Sequence, residues 1–193
     1  MNLFRDRTAF AGILVFIAIA QFVIFLNIAA FLDPGYIIHT NTISHLGVPA
    51  YNPAWFVFSG SIFILGLLLI TAGVLLMEYS RLLMIFLILS GLGSLGVGLV
   101  NETFGTPHLI FALFAFLFSS LASYAILYKN RDILSLMWGI LGTIGLGALL
   151  LYMAKILLGL GVGGMERMIV IPNLIWALGF STYLIGKSEN SKQ

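Results

Sequence analysis

Cysteine is absent from the 193 residues, and charge is scarce, with only 8% of the chain Asp, Glu, Lys or Arg. The first absence excludes disulfides, thiolate metal sites and cysteine nucleophiles. The second stands against 61% hydrophobic residues and a mean hydropathy of +1.11. A soluble domain averages about 25% charged and at most about 50% apolar residues, so soluble and disordered chains are excluded. So is a nucleic-acid partner, because the net charge of +2 comes from scattered loop residues and not from a basic patch. A chain this short cannot hide that much apolar surface in one core, and the excess must face lipid. Complete catalytic motifs are lacking too. There is no His-x-x-x-His or His-Glu-x-x-His pair, the glycine run at 91–98 follows no strand, and 160–164 lacks the Lys-Ser/Thr of a phosphate loop.

What remains is six apolar runs, at 10–31, 55–77, 82–100, 109–128, 133–158 and 168–185. Each is near the ~20 residues that a helix needs to cross a hydrocarbon core. The expectation is an all-α integral membrane protein, a six-helix bundle forming a single transmembrane domain over 1–193. The first run follows Arg5 and Arg7 but is longer than a secretory h-region, which favours a retained helix. The fifth is long enough to tilt or to project.

Seven of the nine basic residues (Arg5, Arg7, Arg81, Lys129, Arg131, Lys187 and Lys192) fall on one side of this arrangement, leaving Lys155 and Arg167 on the other. The positive-inside rule then makes both termini cytoplasmic in a cell membrane. It places His39, His45, His108, Asp33, Glu102 and Glu166 outside. Asn52-Pro53 and Thr106-Pro107 put a capping side chain before a proline, so the second and fourth helices are expected to start at Pro53 and Pro107. The loop 32–52 is the one long connection. Its apolar residues argue for a fold against the bundle, with a helical turn over about 41–46.

Small residues recur every four positions at Ser90, Ser94 and Gly98 and at Gly139, Thr143 and Gly147. Such faces allow close helix packing in lipid, within one bundle or between copies in an oligomer. The segment 160–164 reads as a flexible turn before the sixth helix.

The chemistry-bearing residues gather on the outer side. Asn101 and Glu102 are expected to end the third helix and His108 to open the fourth, so Glu102 and His108 are the candidate acid–base pair. His39, His45 and His108 with a carboxylate could instead hold zinc and activate water. Asn41 and His45 are four apart, on one face of a helical turn, with Ser44 between them. Glu166 and Arg167 stand at the outer end of the sixth helix, which Pro172 and Asn173 interrupt, and Lys155 stands near the outer end of the fifth. Arg167 with Lys155 could bind a phosphate or carboxylate of a lipid headgroup or substrate. Gln21 and Asn27 could extend the polar lining. A purely structural polar cluster remains the alternative.

The segment Thr40-Asn-Thr-Ile-Ser-His-Leu-Gly47, the Asn52-Pro53 helix start, the glycine-rich third helix, the acidic turn with Glu102 and the helix opening at His108 resemble an uncharacterised prokaryotic membrane family, domain of unknown function 998. The resemblance spans most of the chain and implies a six-helix bundle with no established activity. This chain departs from the family pattern at His45, where an acidic residue is usual. Three function classes stay open: an outward-facing hydrolase or lipid-handling protein acting on a lipid or amphiphile, a small-molecule transporter or channel, and a non-catalytic membrane helper.

Overall fold

In the computed structural model, which describes residues 7–190, the chain is helical and contains no strand among those residues. Six helices are long and apolar enough to cross a membrane: α1 (Arg7–Phe31), α2 (Trp55–Leu75), α3 (Arg81–Leu99), α4 (Thr106–Asn130), α5 (Ile133–Met153) and α6 (Gly161–Asn190). They alternate in direction. One end of the bundle, the loop end, therefore carries the long connection 32–54, the α3–α4 turn and the α5–α6 turn. The other, the terminal end, carries the described start of α1 and the end of α6. Arg5 and Lys192, two of the topology-setting cations, lie outside the described residues.

Several boundaries differ from the sequence reading. The fifth helix stops at Met153 and does not run on to Leu158. Apolarity continues there, but Lys155 and Leu158 take left-handed backbone at φ 59° and 49°, which breaks the helix. Helix α6 begins at Gly161, so the supposed flexible turn is its first turn, held by the amide of Gly163 donating to the carbonyl of His39 at 3.3 Å. The α3 helix ends at Leu99, and Glu102 lies beyond it in a 3₁₀ turn, Glu102–Phe104. Gly105, at φ 66°, replaces Thr106 as the cap of α4, while Asn52 caps a turn ahead of Trp55 by accepting the amide of Ala54 at 2.8 Å. The turn expected over 41–46 is a 3₁₀ helix at Ser44–Gly47.

Each helix packs on its chain neighbours and α1 closes on α6, so the six form a ring. Helix α4 also touches α6, which sets α5 outside the groove between them. In lipid no hydrophobic force draws helices together, so the contacts depend on close van der Waals approach. The small residues supply it. A side chain on Gly66 or Gly91 would strike the other helix of that pair, one on Gly93 would strike the α4 backbone at Ala115, and one on Gly142 would meet Ser123. The α3 glycines are thus taken up inside the bundle, whereas Gly147 faces open space. At the terminal end the axis is filled by Val15, Leu76, Leu83, Ile126, Phe180 and Leu184, all buried. At the loop end it is not filled.

Candidate functional site

Residues 32–54 form a strap across the loop end. Short polar side chains fold it locally: Asp33 accepts the amide of Gly35 at 3.0 Å, Asn41 that of Ile37 at 2.8 Å, and Thr42 Oγ1 that of His45 at 3.1 Å. Ile43, Leu46 and Val48 bury themselves beneath it, and Asn52, fully buried, donates to the carbonyl of Leu46 at 3.1 Å. The strap is an ordered loop with its own small core.

Two adjacent residues of α6 tie it down. The Glu166 carboxylate accepts the amide of Ile43 at 2.5 Å and the hydroxyl of Ser44 at 3.4 Å. The Arg167 guanidinium donates to Tyr36 Oη at 2.6 Å, to the carbonyl of Gly163 at 2.8 Å and to that of Ile38 at 3.5 Å. Tyr36 passes a hydrogen bond on to the carbonyl of Thr42 at 2.9 Å. Burial pushes the Tyr36 phenol above its ordinary pKa, while Arg167 pulls it the other way. Gly163 makes this approach feasible, because a side chain there would collide with the carbonyls of Ile38 and Asn41.

Under the strap lies a cleft of about 390 Å³, bounded by Thr42, Ser44, Tyr51, Glu102, His108, Ala112, Phe116, Tyr152 and Glu166, with no Lys or Arg in its wall. Glu102 is held at one side. It accepts from Thr42 Oγ1 at 2.7 Å and from His45 Nδ1 at 3.1 Å. The His45 ring stacks on Tyr51, with centroids 4.6 Å apart and planes 6° from parallel. His108 is 4% exposed, and its Nδ1 donates to the carbonyl of Val100 at 2.6 Å. A carbonyl can only accept, so Nδ1 carries a proton, and in the neutral tautomer Nε2 is the nitrogen free to accept.

Below the cleft, along the ring axis, runs an apolar slot lined by α1, α2, α3, α4 and α6. Its wall extends from Phe58 to Leu69 on α2 and from Glu166 to Ala177 on α6, twelve residues each, or about 16 Å over the eleven α-helical rises between them. The centre of a water-sized sphere has about 80 Å³ to move in, several times what one water requires. Serines line it without making it polar. Ser90 donates to the carbonyl of Ala115 at 3.1 Å, Ser94 to that of Ser90 at 3.0 Å, and Ser119 to that of Phe116 at 3.0 Å. Cleft and slot share Ser44, Phe116 and Glu166 as a common wall.

The expected site residues divide accordingly. Glu102, His108, Ser44 and Glu166 face the cleft, and Asn173 faces the slot. Asn173 is locked there, its amide nitrogen donating to Ser120 Oγ and to the carbonyl of Ile169, both at 2.9 Å, and its oxygen accepting from Trp176 at 3.0 Å. Glu102 and His108 make their direct hydrogen bonds to other partners, and neither to the other. Glu166 lies near the loop end of α6, where the sequence puts it, and is 4% exposed there beneath the strap. Arg167 is turned away into the strap, and Lys155 is exposed in the α5–α6 turn, lining neither cavity. Asn41 and Asn101 serve turns, Asn101 accepting from the amide of Thr103 at 3.0 Å. Asn27 is bonded to the carbonyl of Val23 on an exposed face, and Gln21 binds the carbonyl of Ser61 at 3.0 Å, an interhelical link.

The three histidines are not brought together. His39 is exposed on the strap, His45 pairs with Glu102, and His108 caps Val100. Among the described residues no three His, Asp or Glu side chains gather as a metal would require. Thr42, Tyr36, Tyr51 and Tyr152 were missed. An isolated hydroxyl or phenol carries no spacing signal, and only the strap's apolar content pointed toward them. No curated protein and no solved structure matches the chain. A family model does match, over residues 16–183, and by that match the chain belongs to DUF998, a family described as proteins of unknown function.

Proposed function

We propose that this polytopic protein handles a single-chain amphiphile, with the chain in the slot and the polar head in the cleft. The observation that carries the reading is the shared wall of Ser44, Phe116 and Glu166, which joins a polar cleft to an apolar slot. An apolar cavity is a poor site for water and a good one for hydrocarbon. A narrow space about 16 Å long suits one extended chain better than a compact ligand. The filled terminal end disfavours a pore running through the bundle. His108 Nε2 and Glu102 then stand at the level of the head, where Nε2 would accept a proton from a water attacking a head-to-chain ester and return it to the alcohol oxygen that leaves as the acyl C–O bond breaks.

Trp176 lines the slot, whereas Trp55 and Trp138 do not. In a protein carrying Trp55→Phe and Trp138→Phe, amphiphiles brominated along the chain are expected to quench Trp176, and Ser94→Phe, which fills the slot, is expected to abolish that quenching. Release of the chain from an ester-linked amphiphile, lost in His108→Gln, would be read in the same samples. No quenching by any chain overturns the binding reading. Quenching without chain release overturns only the hydrolytic step.

The basic residues at the terminal end support cytoplasmic termini in a cell membrane, with the strap outside. With no native cysteine, Ile38→Cys and Tyr128→Cys, both at exposed positions, give single labels. An impermeant maleimide applied to intact cells is expected to modify the first and spare the second. The reverse pattern would invert the topology.

A further inference from the structure

The chemistry of the cleft wall narrows the kind of head it can take, an inference that rests on the amphiphile reading above. The sequence suggested an anion site built from Arg167 and Lys155, but neither side chain reaches the cleft. Arg167 is engaged by Tyr36, Ile38 and Gly163, and Lys155 points to solvent. What does line it is the carboxyl groups of Glu102 and Glu166, the side chains of Tyr51 and Tyr152, and the 4%-exposed His108, whose Nε2 has no hydrogen-bond partner among the described residues. The His45 ring lies behind Glu102 and Tyr51 and is not part of the wall.

An anionic head in that cleft would face the carboxyl groups of Glu102 and Glu166, and no Lys or Arg side chain lines it. A neutral head would leave the carboxylates with fewer donors than they can accept from. A cationic head satisfies the wall twice: an amine donates charge-assisted hydrogen bonds to carboxylate, a quaternary ammonium, which has no N–H, meets it through charge alone, and tyrosine rings attract both. Aliphatic amines are cationic at neutral pH. The slot requires a single apolar chain behind that head.

We propose that the cleft selects a cationic amphiphile, a single apolar chain bearing an amine or quaternary ammonium head, held by Glu102, Glu166, Tyr51 and Tyr152.

The test uses full-length protein in a neutral detergent, with Trp176 as the sole tryptophan. Four chain-matched brominated probes differ only in the head: primary amine, trimethylammonium, carboxylate and phosphate. The two cations are expected to bind at least about tenfold more tightly than the two anions. Glu102→Gln is expected to cut that ratio about tenfold while leaving saturating quenching unchanged, since the chain site persists. Because Glu102 also helps hold the strap, Tyr152→Leu provides a second reading from a different helix and is expected to weaken trimethylammonium binding more than phosphate binding. Lys155→Gln should leave the ratio as it is. Equal binding of all four heads, or preference for the anions, overturns the cationic selection and leaves the amphiphile reading intact. A preference for cations that survives both Glu102→Gln and Tyr152→Leu also overturns it, because the selection would then come from the micelle. Quenching by none of the four removes the amphiphile reading itself.

Discussion

The two ends of the bundle treat polar groups in opposite ways. At the loop end Asp33, Ser44, Asn52, His108 and Glu166 are each less than 9% exposed and hydrogen-bonded, and the contacts of Glu166 with Ile43 and Ser44 span more than 120 residues of chain. At the terminal end the charges sit in solvent. Arg7 and Glu78 pair at 3.5 Å with side chains 69% and 78% exposed, and Lys129 and Lys187 rest over the Tyr79 ring at 4.7 and 5.9 Å. A buried polar group is costly to leave unsatisfied, whereas an exposed pair contributes little. The loop end is therefore where the fold depends on specific polar contacts, and also where the axis stays unfilled. The terminal end is held by apolar packing, and its charges set topology more than stability.

The sharpest way to break that comparison is Glu166→Ala. It removes the acceptor of the Ile43 amide and of Ser44 in a buried place and leaves a void at the head of the slot. The expected loss is about 2–4 kcal/mol, combining an unsatisfied donor with a cavity. Glu166→Gln keeps an acceptor for the Ile43 amide and should lose less than half as much. Unfolding in mixed micelles measures both, and proteolysis within 32–54 should rise for Glu166→Ala first. If Glu166→Ala is as stable as the parent, the strap is not held from α6.

Much of this architecture was legible in the chain. Apolar runs of about twenty residues fix the number of helices, because nothing else satisfies the backbone in lipid. Proline and glycine mark the loops. The end of α5 and the start of α6 were not legible, since 154–158 is apolar apart from Lys155 and 161–164 is as flexible as a turn. Tertiary contact with the strap decides between them, through the amide of Gly163 and the carbonyl of His39. The site was half legible for the same reason. Glu102 and His108 are neighbours in sequence and do share a cleft, but the Glu102 partners, Thr42 and His45, lie 60 and 57 residues away. No local spacing encodes a loop folding back. Glu166 stands at the expected end of the sixth helix, but its burial depends on a roof that the sequence does not draw.

A middle-sized effect tests the terminal end through the capping box of α5. Asp132 accepts the amide of Ser135 at 2.7 Å, and Ser135 Oγ in turn accepts the amide of Asp132 at 3.0 Å, a capping box at the start of α5. Asp132→Ala should cost about 1 kcal/mol, the usual value of such a cap. The Ser135 amide, more than any other contact, holds the Asp132 carboxyl below its usual pKa. A depressed folded-state pKa means that this stabilisation is complete above the ordinary aspartate range and is lost as pH falls through the folded value. The parent should thus lose its advantage over Asp132→Ala only in acid, below about pH 4. A difference that instead disappears toward alkaline pH would assign the effect to another group.

The smallest effect is the most informative about the contrast between the ends. Among the described residues Arg7 and Glu78 form the one ion pair joining α1 to the α2–α3 connection, and both side chains are mostly in solvent. Water screens such a pair, and ordering two long side chains offsets most of the Coulomb gain, so exposed pairs contribute about 0–1 kcal/mol. In a double-mutant cycle of Arg7→Ala and Glu78→Ala, the coupling is expected to be below about 0.5 kcal/mol and to vanish at about 1 M salt, where the screening length is only about 3 Å. The corresponding cycle at the loop end, Glu166→Ala with Ser44→Ala, joins two groups that are both under 9% exposed, and its coupling should persist at that salt concentration. A terminal pair as strong and as salt-resistant as the buried one would mean that burial does not separate the two ends. The stability of the strap would then have to come from its apolar underside, Ile43, Leu46 and Val48, and not from its hold on α6.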